Sequence, residues 1–196
     1  MAAFVSASGA AFDEVQIDAK GLAESAIVKL ASNENPLGLS EKAQAAIRAA
    51  LPELHLYPDG NGFALKQAIA QKYGVDLAQI VLGNGSNDIL EMVARVFLTP
   101  GTESLFSEYA FAVYPLATQA AGAQAIVVAA KNYGHDLPAM AAAITPNTRV
   151  IWVANPNNPT GTLASAVQMD AFLAAVPSDV LVVLDEAYHE YVGRED

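Results

Sequence analysis

From Gln79 onward the chain alternates short apolar runs with amphipathic ones. Gln79–Leu82, Ser104–Ser107, Ala125–Val128, Val150–Val153 and Val180–Leu184 read as strands, and runs of this kind, apolar toward both faces, belong in a sheet covered on both sides. Between them Asp88–Leu98, Val113–Ala121, Pro138–Ile144 and Ala164–Ala175 read as helices; in the first, Ile89, Leu90, Val93, Val96 and Phe97 share one face. Strands separated by helices predict an α/β fold, a mostly parallel central sheet with helices on both faces and right-handed crossovers. In such sheets ligands bind at the carboxyl ends of the strands.

Upstream of this region, Ser32-Asn33-Glu34-Asn35-Pro36-Leu37-Gly38 is dense in turn formers and reads as an ordered loop. Ser40 then caps a helix with Ala43, Ala46, Ile47 and Ala50 at helical spacing, ended by Pro52. A second loop, Tyr57-Pro58-Asp59-Gly60-Asn61-Gly62, precedes a helix carrying Phe63, Leu65, Ile69 and Tyr73 and closed by Gly74. Residues 1–30 form an N-terminal arm without clear periodicity, and residues 31–196 form one incomplete domain. The chain shows no internal repeat, low-complexity tract or flexible linker.

Composition narrows the classes. At 196 residues a well-formed core is expected. A hydrophobic content of 53% and a mean hydropathy of +0.28 suggest surfaces covered by a partner or a domain cut from a larger one. The net charge of -11 repels a phosphate backbone and argues against nucleic acid. With no cysteine, disulfides and thiolate metal sites are excluded. The first basic residue is Lys20 and no apolar run approaches the ~20 residues that span a bilayer, so no membrane association is expected and a cytoplasmic location is.

Three loops carry candidate chemistry. Gly83-Asn84-Gly85-Ser86-Asn87-Asp88 turns tightly into a helix whose first amides can hold an anion such as phosphate; the other reading is a capped strand-to-helix turn. It is not a dinucleotide fingerprint, because Asp88 stands where a third glycine is needed, and no P-loop Gly-Lys-Ser/Thr follows. Asn155-Pro156-Asn157-Asn158-Pro159-Thr160-Gly161 is stiffened by two prolines and aims asparagine side chains in set directions, or is a purely structural turn. Asp185, Glu186, Ala187 and Tyr188 leave the most apolar strand; a carboxylate there keeps a partner's nitrogen protonated or caps the next turn, and the Tyr188 phenol can donate to an oxygen of the same ligand. An anion cup, an amide on a rigid turn and a carboxylate with a phenol suit a phosphorylated heteroaromatic ring.

The pair Asn155–Gly161 and Asp185–Tyr188 resembles the double signature of fold-type I pyridoxal-phosphate aminotransferases. Asn33–Gly38, the Tyr57–Gly60 turn and the Gly83–Asp88 loop narrow the likeness to the histidinol-phosphate branch, over about Leu30 to Tyr191. The resemblance implies a pyridoxal 5'-phosphate cofactor, with its phosphate on the amides of Gly85, Ser86 and Asn87 and its ring stacked on Phe111, for which Tyr109 competes. It further implies that Asn158 and Tyr188 hold the ring's phenolic oxygen and that Asp185 pairs with the pyridinium nitrogen, Asp185 and Tyr188 being the catalytic pair in this stretch. Tyr57 would reach the cofactor phosphate of a neighbouring subunit in a homodimer, and Asn35 would lie near the substrate or simply shape its turn.

The implied reaction is transamination between histidinol phosphate and 2-oxoglutarate, whose counterparts are imidazole acetol phosphate and glutamate, in histidine biosynthesis. The lysine that holds the cofactor covalently in this family is expected beyond the Asp-x-x-Tyr motif; the six lysines here, Lys20, Lys29, Lys42, Lys66, Lys72 and Lys131, all precede Asp185. The chain is therefore expected to be the N-terminal half of such an enzyme, a truncated large domain lacking its C-terminal part and the small domain, and inactive alone. Alternatives are another aminotransferase of the same fold, aromatic or resembling threonine-phosphate decarboxylase, and a non-catalytic fragment that dimerises or binds pyridoxal phosphate. A nucleotide-binding sheet protein is a third. His55, His135 and His189 show no metal-ligand spacing and no metal is expected, and Glu186, Glu190, Glu195 and Asp196 read as a solvated or interface edge.

Overall fold

The β-branched and aromatic run Thr148–Ala154 forms β3, the longest strand of the sheet and buried along almost its whole length. It pairs in parallel with β1 (Glu103–Ser107) on one side and with β4 (Leu181–Asp185) on the other, and β1 pairs in parallel with β2 (Gln124–Val128). The order is thus β2-β1-β3-β4. These details come from a computed structural model that describes residues 33–193.

Side chains alternate across β3. Val150, Trp152 and Ala154 face one core cluster with Phe106 of β1, Leu90 and Ala94 of α3 (Gly85–Phe97), and Tyr114 and Ala117 of α4 (Val113–Ala120). Ile151 and Val153 face a second cluster with Leu105, with Leu137 and Met140 of α5 (Leu137–Ala142), and with Met169 and Phe172 of α6 (Ala166–Ala175). Helices cover both faces, as the apolar runs predict. Their starts follow local caps: Asp136 accepts from the Ala139 amide, and Ser165 forms a capping box with Gln168.

The predicted strand Gln79–Leu82 is not one. Leu77–Gln79 forms a 3-10 turn closed by a capping box between Asp76 and Gln79. Ile80 beyond it is extended and buried, but β2, β1, β3 and β4 make up the sheet among the described residues. Extended apolar backbone becomes a strand only when a neighbour closes the ladder. The helix after it also starts three residues earlier than predicted, at Gly85 rather than Asp88, because Asp88 works from inside the first turn: its Oδ2 accepts from the Asn84 amide at 2.8 Å and from Asn84 Nδ2 at 3.0 Å.

The chain divides into two units, residues 1–57 and 58–196. Besides the sheet, the second contains α2 (Phe63–Tyr73), closed by Gly74 in the left-handed region. In the described part of the first, Ser40 caps α1 (Glu41–Ala50), which buries none of its residues, and Pro52 opens a 3-10 turn at Leu51–Glu53. The proposed arm, residues 1–30, lies outside the described residues, as do Arg194, Glu195 and Asp196.

Candidate functional site

The chain runs from β1 to β2 on one side and returns to β3 on the other, so the strand order reverses between β1 and β3. A crevice opens beyond the carboxyl ends of strands at such a reversal. The segments leaving β1, β3 and β4 there are Glu108–Phe111, Asn155–Gly161 and Glu186–Tyr188. Two of the three candidate loops thus follow strands; the third, at residues 83–88, follows the unpaired extended segment.

The Asn-Pro loop is held by its own asparagines. Asn155 mimics a ladder partner: its Oδ1 accepts from the Ala164 amide at 2.8 Å and its Nδ2 donates to the Ala164 carbonyl at 3.0 Å. Asn157, 3% exposed, donates through Nδ2 to the Tyr109 carbonyl and to Thr160 Oγ1, each at 2.8 Å. Backbone bonds from Asn157 to Thr162 and from Gly161 to Asn157 close the turn, and both Asn-Pro peptide bonds are cis. Asn158 remains for other work; its Nδ2 lies 3.4 Å from the Tyr188 hydroxyl.

Asp185 ends β4 in register with Ala154, and the Asn155 amide donates to its carbonyl at 3.0 Å. Its carboxylate takes two donors from different elements, the Tyr114 hydroxyl on Oδ2 at 2.9 Å and the Ala187 amide on Oδ1 at 3.2 Å. Tyr114 stacks on Trp152 with centroids 5.5 Å apart and meets Phe111 edge-on at 5.9 Å. Burial first, and the Asp185 charge second, push the Tyr114 phenol far above its ordinary range, so it remains a donor.

Beyond the carboxyl ends of β1, β3 and β4, Phe111 is linked to Asp185 through Tyr114, and Asn158 is linked to Tyr188. Tyr109 turns elsewhere, its ring packing on Tyr133 at 5.7 Å. Gly85, Ser86 and Asn87 form the first turn of α3, where the opening amides of a helix have no intrahelical partners, and α3 packs on the same cluster as Phe111 and Tyr114. In the other unit, Asn35 spends its side chain on a turn, accepting from the Leu37 amide and donating to the Gly38 carbonyl, while the Tyr57 side chain is fully exposed.

The sequence assigns no separate role to Asn157 within its loop or to Tyr114, three residues after Phe111. Tyr114 and Asp185 are 71 positions apart, and only the strand order brings them together. His135 Nε2 donates to the Ala154 carbonyl at 2.8 Å and its Nδ1 has no protein partner; burial pulls its pKa down. Among the described residues no cluster of three His, Cys, Asp or Glu is placed to hold a metal, and no helix is long and apolar enough to cross a membrane. A cavity of about 680 Å³ built on the second core cluster, with His135, Leu137 and Phe172 in its wall, contains none of the candidate residues.

The family model of class I and II aminotransferases matches residues 25–196. A histidinol-phosphate aminotransferase 2 of Pseudomonas fluorescens strain Pf0-1 is 68% identical over 170 residues, 87% of this chain and 46% of that protein. A histidinol-phosphate aminotransferase 2 of Pseudomonas aeruginosa is 64% identical over 176 residues, 90% of this chain and 48% of that one. The crystal structure of histidinol-phosphate aminotransferase from Sinorhizobium meliloti in complex with pyridoxal-5'-phosphate superposes with a TM-score of 0.80 at 30% identity, covering 84% of this chain and 45% of that one. The chain spans about half the length of the curated relatives it matches.

Proposed function

Since the chain belongs to the class I and II aminotransferase family, we propose that it forms the cofactor-cradling half of an enzyme that catalyses transamination between histidinol phosphate and 2-oxoglutarate in histidine biosynthesis, using pyridoxal 5'-phosphate. The observation that carries this reading is that the adjacent carboxyl ends of β3 and β4 present the Asp185 carboxylate, held by Tyr114, and the Asn158 amide, bonded to the Tyr188 phenol. The substrate follows from the names of relatives at 60–68% identity.

The donor set fits the cofactor. The Tyr188 hydroxyl, which accepts from Asn158 Nδ2 at 3.4 Å and keeps its own proton to donate, suits a phenolate oxygen together with the second Asn158 amide proton; a carboxylate anchored by two donors suits a protonated ring nitrogen, and Phe111 offers an aromatic wall. The amides of Ser86 and Asn87 in the first turn of α3 suit a phosphate, which would draw the Gly85 amide from the Gly83 carbonyl to which it donates at 3.1 Å. When bound, the cofactor supplies an electron-withdrawing ring and an aldehyde that carries the amino group. Asp185 holds a proton at the ring nitrogen, Asn158 and Tyr188 orient the ring oxygen, and Phe111 keeps water from one face.

The same reading makes the protein a homodimer in which Tyr57 reaches the cofactor phosphate of the partner subunit; the fully exposed Tyr57 ring and the exposed Leu54 and Leu56 beside it support an interface there. Asn35 is kept as a residue near the substrate, and the reaction is placed in the cytoplasm, as fits amino-acid biosynthesis. The absorption spectrum of the purified protein with pyridoxal 5'-phosphate, before and after histidinol phosphate, tests the function. A cofactor band that the protein shifts saturably supports the cradling role, and a response to histidinol phosphate beyond that in buffer supports the substrate; a cofactor spectrum that the protein leaves as it is in buffer contradicts the reading.

A further inference from the structure

The Asp185 carboxylate is fixed more firmly than a capping or pairing role requires. Its two oxygens are held from two elements, Oδ2 by the Tyr114 hydroxyl of α4 and Oδ1 by the Ala187 amide beyond β4. Two donors on opposite oxygens define the plane of the carboxylate and leave each oxygen a further lone pair. Tyr114 has no freedom of its own: it is fully buried, stacked within 8° of parallel on Trp152 and edge-on to Phe111.

We propose that Tyr114 is a positioning residue that holds Asp185 as an oriented anion and so keeps the proton shared with the cofactor on the ring nitrogen rather than on the carboxylate. A part-buried carboxylate beside a cationic ring nitrogen has two states, an ion pair and a neutral pair with the proton transferred. The ion pair prevails when the anion's remaining lone pairs are satisfied. A hydroxyl that donates to the carboxylate favours its charged form; the Tyr114 phenol, whose own ionisation burial and the Asp185 charge oppose, only donates. The Phe111–Tyr114–Trp152 aromatic ladder also ties the wall against which the ring stacks to the group that holds its nitrogen, so the two contacts keep a common geometry.

This role rests on the proposed cofactor pairing of Asp185, and one experiment separates the two. Pyridoxamine 5'-phosphate labelled with nitrogen-15 in the ring forms no imine with surface lysines, and its ring resonance reads where the proton sits. It is bound to the full chain as wild type, Tyr114→Phe and Asp185→Ala. Tyr114→Phe keeps both ring contacts, and thermal melting checks that the fold is retained. The proton partition on the ring nitrogen is expected to fall about tenfold in Tyr114→Phe, a shift of about one pK unit, and to drop to that of the free ligand in Asp185→Ala. A wild-type resonance in Tyr114→Phe, with the drop present in Asp185→Ala, leaves Tyr114 a packing residue and overturns the inference alone. A wild-type resonance in Asp185→Ala overturns the ring-nitrogen reading and this inference with it.

Discussion

Two loops of similar composition, both rich in asparagine and glycine, reach the site by opposite means. The loop at 155–161 follows the most buried strand of the sheet, and two of its three asparagines are consumed in holding it, Asn155 on the Ala164 backbone and Asn157 on Tyr109 and Thr160. The loop at 83–88 follows a segment with no ladder partner among the described residues, and its order comes from the α3 terminus through the Asp88 bonds to Asn84. The difference teaches where the site is built in: the edge that would meet the cofactor ring is over-determined by the fold, whereas the edge that would meet its phosphate rests on one helix turn.

The hardest blow to that contrast is Asn155→Ala. It leaves the Ala164 amide and carbonyl without the partners they now have, at a cost of about 2–4 kcal/mol; urea denaturation reads it directly, and a loss under about 0.5 kcal/mol would show that the loop does not depend on this side chain. Asn158→Ala sharpens the contrast from the other side. Because this asparagine faces Tyr188 rather than the loop, stability is expected to stay within about 0.5 kcal/mol while affinity for pyridoxamine 5'-phosphate falls about tenfold.

Gly85→Ala probes the weaker loop. Gly85 sits at φ +74 with nothing within 4 Å of an added methyl group, so the expected cost of about 1–2 kcal/mol is purely conformational. Phosphate-dependent binding is expected to weaken with it, measured by comparing pyridoxamine with its 5'-phosphate. The smallest effect is expected at the base of the rigid loop, where His135 donates to the Ala154 carbonyl. Its folded pKa lies below the ordinary 6.5, so below that pH the unfolded chain binds more protons. The stability that neutral His135 contributes is present above the unfolded pKa and is lost as the pH falls from there through the lower folded pKa. His135→Gln, which keeps a donor for the carbonyl, should flatten the decline of Tm between about pH 7 and 5; an unchanged slope would mean that His135 contributes none of it.

What the sequence makes legible divides along the same line. β1, β2, β3 and β4 and the helices between them are readable because each apolar run is filled by its own residues: Val150 to Val153 bury on both faces wherever the neighbouring strands lie. Gln79–Leu82 carries the same apolar signal, but a strand also needs a partner, and pairing is not written in the run itself. Among the candidate residues, Asp185, Tyr188 and Asn158 stand out because a carboxylate, a phenol and a clustered amide at strand ends can serve a ligand as well as a turn. Tyr114 gives no such signal. An aromatic residue on an apolar helix face reads as core, and it is core; its hydroxyl matters only because β1, β3 and β4 lie side by side and bring α4 over Asp185. Asn157 is equally hidden, since its neighbour Asn158 has the same composition and spacing.

The central claim is that this stretch of chain grips the cofactor ring through Asp185 and its neighbours. Trp152 is the one tryptophan of the sequence and stacks on the residue that bonds Asp185, which makes its fluorescence a built-in reporter. The decisive measurement is quenching of Trp152 by pyridoxamine 5'-phosphate, titrated into the wild-type chain and into Asp185→Ala. Saturable quenching in the wild type, with affinity lower by at least about tenfold in Asp185→Ala at a temperature where both proteins remain folded, is the predicted result. Quenching that does not saturate, or that saturates at the same concentration in both proteins, would contradict it.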